Sequence, residues 1–166
     1  MLLIDDYKAF KKRYPSHQIL RLPAFKVLLF YRLGRLFKGW RIPILPSVCS
    51  AILRIVYGVE ISYKAQIGIG VNIVHPVGVV IGSAIVGDGC KFLGSNTIGG
   101  GRSEHDLPTL GRNVEIGCGA RIVGKITIGD SVTIGSNSVV IRDIPSQCFA
   151  AGLPAKIIRQ YGVKND

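Results

Sequence analysis

The stretch LGRNVEIGCGARIVGKITIGDSVTIGSNSVV, residues 110–140, carries a branched apolar residue at every sixth position. The leading residues of these blocks are Leu110, Ile116, Ile122, Ile128, Ile134 and Val140. A second row of mostly small or branched residues follows four places later, at Val114, Ala120, Ile126, Val132, Ser138 and Ile144. Helices repeat every 3.6 residues and simple strands every two, so this period predicts one short strand and one turn per block, coiled into a parallel β-solenoid.

The same period continues toward the N-terminus with one change of phase. Val80, Val86, Phe92 and Ile98 keep the phase of the later blocks, whereas Ile61, Ile67, Ile73 and Val79 stand one residue out of step. The slip follows HPVGV, residues 75–79, where we expect a local deformation of the coil. A second interruption, TIGGGRSEHDLPTLG at residues 97–111, places Glu104 at an apolar position. Residues 99–109 are therefore predicted to form a loop that leaves the solenoid.

Blocks such as IGDSVT and IGSNSV, residues 128–139, resemble those of the hexapeptide-repeat acyltransferases. The resemblance covers residues 60 to about 158 and implies a mainly β fold, a left-handed parallel β-helix with three blocks per coil. It also implies a homotrimer that binds acyl-CoA in the clefts between subunits. The chain then divides into a short helical leader at 1–59, the β-helix at 60–146 with its loop at 99–109, and a C-terminal segment at 147–166.

A histidine interrupts the repeat in HPVGVVIG, residues 75–82. This motif resembles that of the serine O-acetyltransferases and their saccharide-modifying relatives, which implies that His75 is the catalytic base and that Glu60, fifteen residues earlier, orients it. An imidazole that titrates near neutral pH can take the proton of an attacking hydroxyl and pass one to the departing thiolate. We therefore expect direct transfer without a covalent enzyme intermediate. The alternative role for His75 is that of a solvated surface residue.

The resemblance also implies which residues bind the co-substrate, acetyl-CoA. Gly100, Cys118 and Ser136 match positions that line the pantetheine arm, although each can equally serve as a solenoid corner. Lys156, in AGLPAKII at residues 151–158, matches a basic residue near the CoA phosphates. The four cysteines lack metal-ligand spacing, so we expect reduced thiols and no metal requirement.

The acceptor is predicted from the loop and the leader. Where serine acetyltransferases carry Arg and His before the loop proline, this chain has Asp106 and Leu107, and its own His105 stands two residues early. His105 and Asp106 are assigned to substrate binding.

The leader FKVLLFYRLGRLFKGW, residues 25–40, resembles that of acetyltransferases acting on colanic acid and related polysaccharides. The prediction is therefore O-acetylation of a sugar hydroxyl, on a small or lipid-linked saccharide, in bacterial surface polysaccharide biosynthesis. The alternatives are serine O-acetylation in cysteine biosynthesis and a non-catalytic solenoid scaffold.

Most of the net charge of +11 belongs to the leader. Residues 25–38 predict an amphipathic basic helix with Arg32 among its polar positions. Two readings stay open: residues 25–57 contact an anionic membrane, or the helix packs its apolar stripe on the trimer. Prolines interrupt the apolar run at 42–57, so no transmembrane span is predicted. No nucleic-acid-binding module is recognisable and no signal peptide precedes the fold, so we expect a cytoplasmic protein, with peripheral contact at the inner membrane face as an option.

Overall fold

The computed structural model describes residues 2–100 and 106–161, beginning with helices. The helices are α1 Leu2–Lys11, α2 Ser16–Ile19, α3 Pro23–Gly39 and α4 Leu45–Tyr57. Helix α4 ends at Gly58, whose φ of 61° lies in the left-handed region that favours glycine. This turn directs the chain into the first strand. Over the described residues, no helix is long and apolar enough to cross a membrane.

Short strands follow the helices and form three parallel sheets. They are β1 Glu60–Ile61, β2 Gln66–Ile67, β3 Asn72–Ile73, β4 Val80–Ile81, β5 Ile85–Val86, β6 Lys91–Phe92, β7 Thr97–Gly99, β8 Thr109–Leu110, β9 Glu115–Ile116, β10 Arg121–Val123, β11 Thr127–Ile128, β12 Thr133–Ile134, β13 Val139–Val140, β14 Cys148–Gly152 and β15 Ala155–Gln160. The sheet orders are β1-β4-β7-β10-β13, β2-β5-β8-β11 and β3-β6-β9-β12-β14-β15. Each full coil thus adds one strand to each sheet, and the stack is a three-sided prism.

The six-residue period is confirmed as a coil of three blocks. Leu110 pairs with Ile128 and Ile116 with Ile134, each eighteen residues apart. The leading residues from Leu110 to Val140 are at most 1% exposed, and the second row is buried as well. The inward columns of the three sheets are Ile61, Ile81, Ile98, Ile122, Val140; Ile67, Val86, Leu110, Ile128, Ile144; and Ile73, Phe92, Ile116, Ile134, Ala150.

The phase slip near residue 75 differs from the predicted pattern. Val80, expected to point inward, is 38% exposed, whereas Ile81 is 1% exposed and faces the core. Ile61 pairs with Ile81, twenty residues later instead of eighteen. The turn that contains His75 therefore holds two additional residues, and these move Val80 outward.

The predicted loop at 99–109 starts at the last residue of β7, Gly99, and ends at the first residue of β8, Thr109. Across it, Lys91 pairs with Glu115, twenty-four residues later. The coil thus gains one extra block's length without breaking the sheets, although residues 101–105 lie outside the described part of the chain. At the far end, β15 turns back and pairs antiparallel with β14.

A buried ion pair fastens the helices to the first coil. Asp6 is fully buried and accepts hydrogen bonds from Arg32 Nε at 3.0 Å and from the Gly70 amide at 2.8 Å. Arg32 also donates to the carbonyl oxygens of Ile67 at 2.6 Å and Gly68 at 2.7 Å. The expectation that Arg32 belongs to an exposed polar face is wrong, because its guanidinium satisfies buried groups of α1 and of the solenoid.

Replacing Arg32 by Met should lower the free energy of unfolding by about 3–5 kcal/mol, because Asp6 would keep its buried charge without its cationic partner. The matched control is Arg112→Met, which removes a mostly exposed arginine paired with Asp130 at 2.9 Å and should leave stability nearly unchanged. Urea titration of both variants measures the difference. Equal losses of unfolding free energy in the two variants would show that the buried pair contributes no more to stability than the exposed pair.

Candidate active site

Residues predicted for catalysis and for co-substrate binding lie along one edge of the prism, where strands of the third sheet lead into the first. A Cβ added to Gly94 would lie 3.0 Å from the Cβ of His75, one coil away. The Gly119 amide donates to the Gly94 carbonyl at 2.9 Å, and the Asn137 amide to the Cys118 carbonyl at 2.8 Å. We call this corner the His75 edge. It consists of His75, Gly94, Cys118 and Ser136.

The side chains of the His75 edge face outward and the edge leads to the C-terminal hairpin. His75, Cys118 and Ser136 are all exposed. A Cβ at Gly135, next to Ser136, would press against Ala151, and Ala151 pairs with Lys156 across the hairpin. The fold thus aligns the histidine, the thiol, the hydroxyl and the lysine along one side of the stack.

Glu60 lies beside the turn that carries His75. The Glu60 amide donates to the Val79 carbonyl at 2.9 Å, and the Gly78 amide donates to the Gly58 carbonyl at 2.8 Å. Both Glu60 and His75 are exposed. In the described part of the chain no hydrogen bond joins their side chains, so the fold brings the two segments together and leaves both groups open to a ligand.

Two residues that support this edge were missed by the sequence analysis. Gly94 has a φ of 137°, and any side chain there would press on the backbone and Cβ of His75. Asn96 is fully buried; it donates to the Gly117 carbonyl at 2.7 Å and accepts from the Gly94 amide at 3.1 Å. An asparagine in a repeat of apolar and small residues is the signal that could have identified Asn96 as a buried hydrogen-bonding residue.

Two of the remaining predicted residues, Gly100 and Asp106, lie at a different corner of the same chain. Gly100 is exposed and follows β7, at the junction of the first and second sheets. Asp106 is half-buried just before β8, while His105 lies outside the described residues. Within one chain, Gly100 and Asp106 therefore lie at a different corner from the His75 edge. Among the described residues, no cluster of His, Cys, Asp and Glu could hold a metal ion.

The four cysteines differ sharply in their surroundings. Cys90 is fully buried, and burial raises its pKa to about 11. Burial also raises the pKa of Cys49, and Cys148 is fully buried. Of the four cysteines only Cys118 is exposed, and it points outward from the His75 edge.

Known proteins that resemble this chain align with its repeats and with nearly all of its residues. Residues 108–142 match the family described as bacterial transferase hexapeptide (six repeats). The chain is 39% identical to the serine acetyltransferase of Synechococcus elongatus over 172 residues, covering 99% of this chain and 70% of that protein. The structure of Neisseria gonorrhoeae serine acetyltransferase matches with a TM-score of 0.84 at 30% identity, covering 96% of this chain and 65% of that chain.

A further match is the structure of Brucella abortus serine acetyltransferase in complex with coenzyme A, with a TM-score of 0.86 at 27% identity. It covers 98% of this chain and 68% of that chain. The chain thus spans about two thirds of the length of these proteins, and slightly less in the Neisseria case.

These relatives confirm some predictions and correct others. The family match and the serine acetyltransferase relatives confirm the prediction of a hexapeptide-repeat acyltransferase that uses acetyl-CoA. The prediction of a polysaccharide O-acetyltransferase, with a saccharide or lipid-linked acceptor, is wrong, because the relatives are serine acetyltransferases. They give no support to the colanic-acid branch or to membrane contact through residues 25–57. Serine O-acetylation, the alternative, is the reading they favour.

The four thiols should differ in their rates of alkylation, because the thiolate is the form that reacts and burial disfavours the thiolate. We expect iodoacetamide at pH 8 to modify Cys118 quickly and Cys90 only on unfolding, as measured by mass spectrometry of the labelled peptides. Cys118→Ser should remove the fast phase, and denatured protein should label at all four cysteines. Rapid labelling of Cys90 in the folded protein would contradict this.

Proposed function

Because the chain belongs to the serine acetyltransferase family of hexapeptide-repeat acyltransferases, we propose that it transfers the acetyl group of acetyl-CoA to the hydroxyl of L-serine. The products are O-acetyl-L-serine and CoA. The observation that carries this proposal is the alignment with a serine acetyltransferase over 99% of the chain. The exposed histidine beside Glu60 supports it, since acyl transfer to an alcohol needs a general base open to the acceptor.

In the proposed reaction His75 acts as the general base. Its imidazole takes the proton from the serine hydroxyl as the oxygen attacks the thioester carbonyl. The tetrahedral intermediate then collapses, the C–S bond breaks, and the imidazolium returns a proton to the CoA thiolate. Glu60 orients the ring and stabilises its cationic form once the two side chains meet around bound substrate. The carboxylate of a glutamate or of an aspartate can accept that hydrogen bond. Glu60 can therefore take the place of the Asp that serine acetyltransferases usually have at this position.

The His75 edge is the proposed groove for acetyl-CoA. Small residues at Gly94, Cys118 and Ser136 allow a pantetheine arm to approach the backbone of successive coils. Lys156, on the hairpin at the end of the stack, would meet the phosphates as a point charge. Gly100 lies at the other corner, which favours a groove formed by two subunits.

We propose the homotrimer, the left-handed coil and the division at residues 59 and 146 as further parts of this assignment. In a trimer with parallel axes, the loop corner of one protomer meets the His75 edge of the next. This arrangement would bring Gly100 and Asp106 to the His75 edge of the neighbouring protomer, and the role of His105 in substrate binding stays a prediction from the sequence. A cytoplasmic location stays a prediction from the sequence.

Replacing His75 by Ala should lower kcat with L-serine by about 10²- to 10⁴-fold, which is the usual contribution of a general base. Affinity for CoA should stay largely intact, because the imidazole acts mainly in proton transfer. The assay follows CoA thiol release, and calorimetry follows CoA binding. The matched control is His17→Ala, an exposed histidine on helix α2, which should retain full activity. An active His75→Ala enzyme would refute the assigned base.

Bound CoA should protect Cys118 from iodoacetamide if the pantetheine arm runs along the His75 edge. We expect labelling of Cys118 to slow in proportion to the occupancy of CoA, while adenosine 3′,5′-bisphosphate, which lacks the pantetheine arm, protects less. Peptide mass spectrometry at a series of CoA concentrations makes this measurement. Unchanged labelling at saturating CoA would place the groove elsewhere.

A further inference from the structure

We propose that Arg54 binds the carboxylate of the amino-acid acceptor in a cleft between helix α4 and strand β1. This inference rests on the proposed function and adds a specificity-determining residue to it. Two adjoining clefts lie where the leader meets the first coil, with volumes of about 290 and 480 Å³. They share Ser50, Arg54 and Tyr63 as lining residues.

The smaller cleft places opposite charges on facing elements. Arg54 lies on α4 and Glu60 on β1, and both line this cleft together with three residues that carry hydroxyl groups, Ser50, Ser62 and Tyr63. A serine molecule carries an ammonium group, a carboxylate and a hydroxyl. A cleft with one cation, one anion and several hydroxyl groups matches that set of charges and polar groups.

The wall between the two clefts is built rigidly. The Tyr63 hydroxyl donates to the Pro46 carbonyl at 2.7 Å, and its ring stacks on Tyr31 at 6.2 Å between centroids. Burial raises the pKa of Tyr63, so the hydroxyl stays protonated and keeps donating. A Cβ at Gly34 on α3 would clash with this hydroxyl. The fold therefore reserves the space that Tyr63 occupies.

Arg54 is the free cation of the smaller cleft. Within the described chain, its side chain makes no hydrogen bond or ion pair. The larger cleft adds Lys38 and Arg41 to its lining and no acidic residue. Lys38 lies over the ring of Tyr63 at 5.8 Å. Three positive groups facing one opening create a potential that attracts an anionic group, and Arg54 can bind a carboxylate with two parallel hydrogen bonds.

The position of the cleft fits an acceptor site. Glu60 of its lining strand β1, and Gly58 at the end of α4, form backbone hydrogen bonds with the His75 turn. An acceptor held by Arg54 would thus lie next to the proposed base. The loop residues Asp106 and Leu107 carry no positive charge that could neutralise a carboxylate. Helix α4 supplies a cation in this cleft, Arg54.

The test compares L-serine with L-serinamide, which keeps the hydroxyl and the amine but lacks the carboxylate. Arg54→Gln should raise KM for L-serine by roughly 10- to 100-fold, the usual effect of losing a hydrogen bond between charged groups. Turnover of L-serinamide and KM for acetyl-CoA should not change. Arg54→Lys should restore part of the loss. Arg21→Gln, which removes an exposed charge beyond helix α2, is the matched control.

The outcomes separate this inference from the proposed function. Selective loss of L-serine turnover in Arg54→Gln supports the carboxylate site. Equal effects on both acceptors, or none on either, overturn it while serine acetylation by the unaltered enzyme stands. If the unaltered enzyme binds CoA but acetylates neither acceptor, the proposed function fails and the inference fails with it. Circular dichroism of Arg54→Gln confirms that the variant is folded.

Discussion

The stacking of one coil on the next is the constraint on which the structure depends. Most strands contain only two or three residues, so none has enough hydrogen bonds or apolar area to be stable alone. Stability comes from continuous columns of inward residues and from backbone hydrogen bonds between coils. The same register fixes the site, because residues at one corner of successive coils must lie above one another. His75, Gly94 and Cys118 are neighbours for this reason, although they are far apart in sequence.

A stack of coils leaves two open ends, and the chain continues differently at each. At the C-terminal end the β14–β15 hairpin extends the third sheet. At the N-terminal end the leader packs Phe10, Leu28 and Tyr31 into the core cluster, and Arg32 joins Asp6 to the carbonyl groups of the first coil. Tyr31 adds a hydrogen bond to the Ala65 carbonyl at 2.6 Å. The leader is thus part of the solenoid's core, and this packing also creates the cleft beside Glu60.

Much of the fold could be predicted because a strict period leaves few physical solutions. Two rows of residues in phase define the strand, the turn and the inward face, and the rows from Leu110 to Ile144 are buried as predicted. The period could not locate insertions to the residue, so Val80 was assigned inward in place of Ile81. It also could not show which polar residues become buried. Arg32 and Asn96 each satisfy backbone groups that meet only in the folded chain.

The error about the acceptor has a physical origin in the same leader. A helix with one apolar and one basic face is typical of attachment to an anionic membrane. The same pattern equally suits a helix that packs its apolar face on a core while its basic side chains donate hydrogen bonds to carbonyl groups. Arg32 and Arg35 both donate to carbonyl oxygens of the first coil. Lys38, Arg41 and Arg54 line the clefts around Tyr63. Arg32 and Arg35 therefore hold the leader to the solenoid, while Lys38, Arg41 and Arg54 line two adjoining clefts, of which the smaller is the proposed acceptor site. These five positive residues thus have contacts or positions within the protein itself that do not involve a lipid surface.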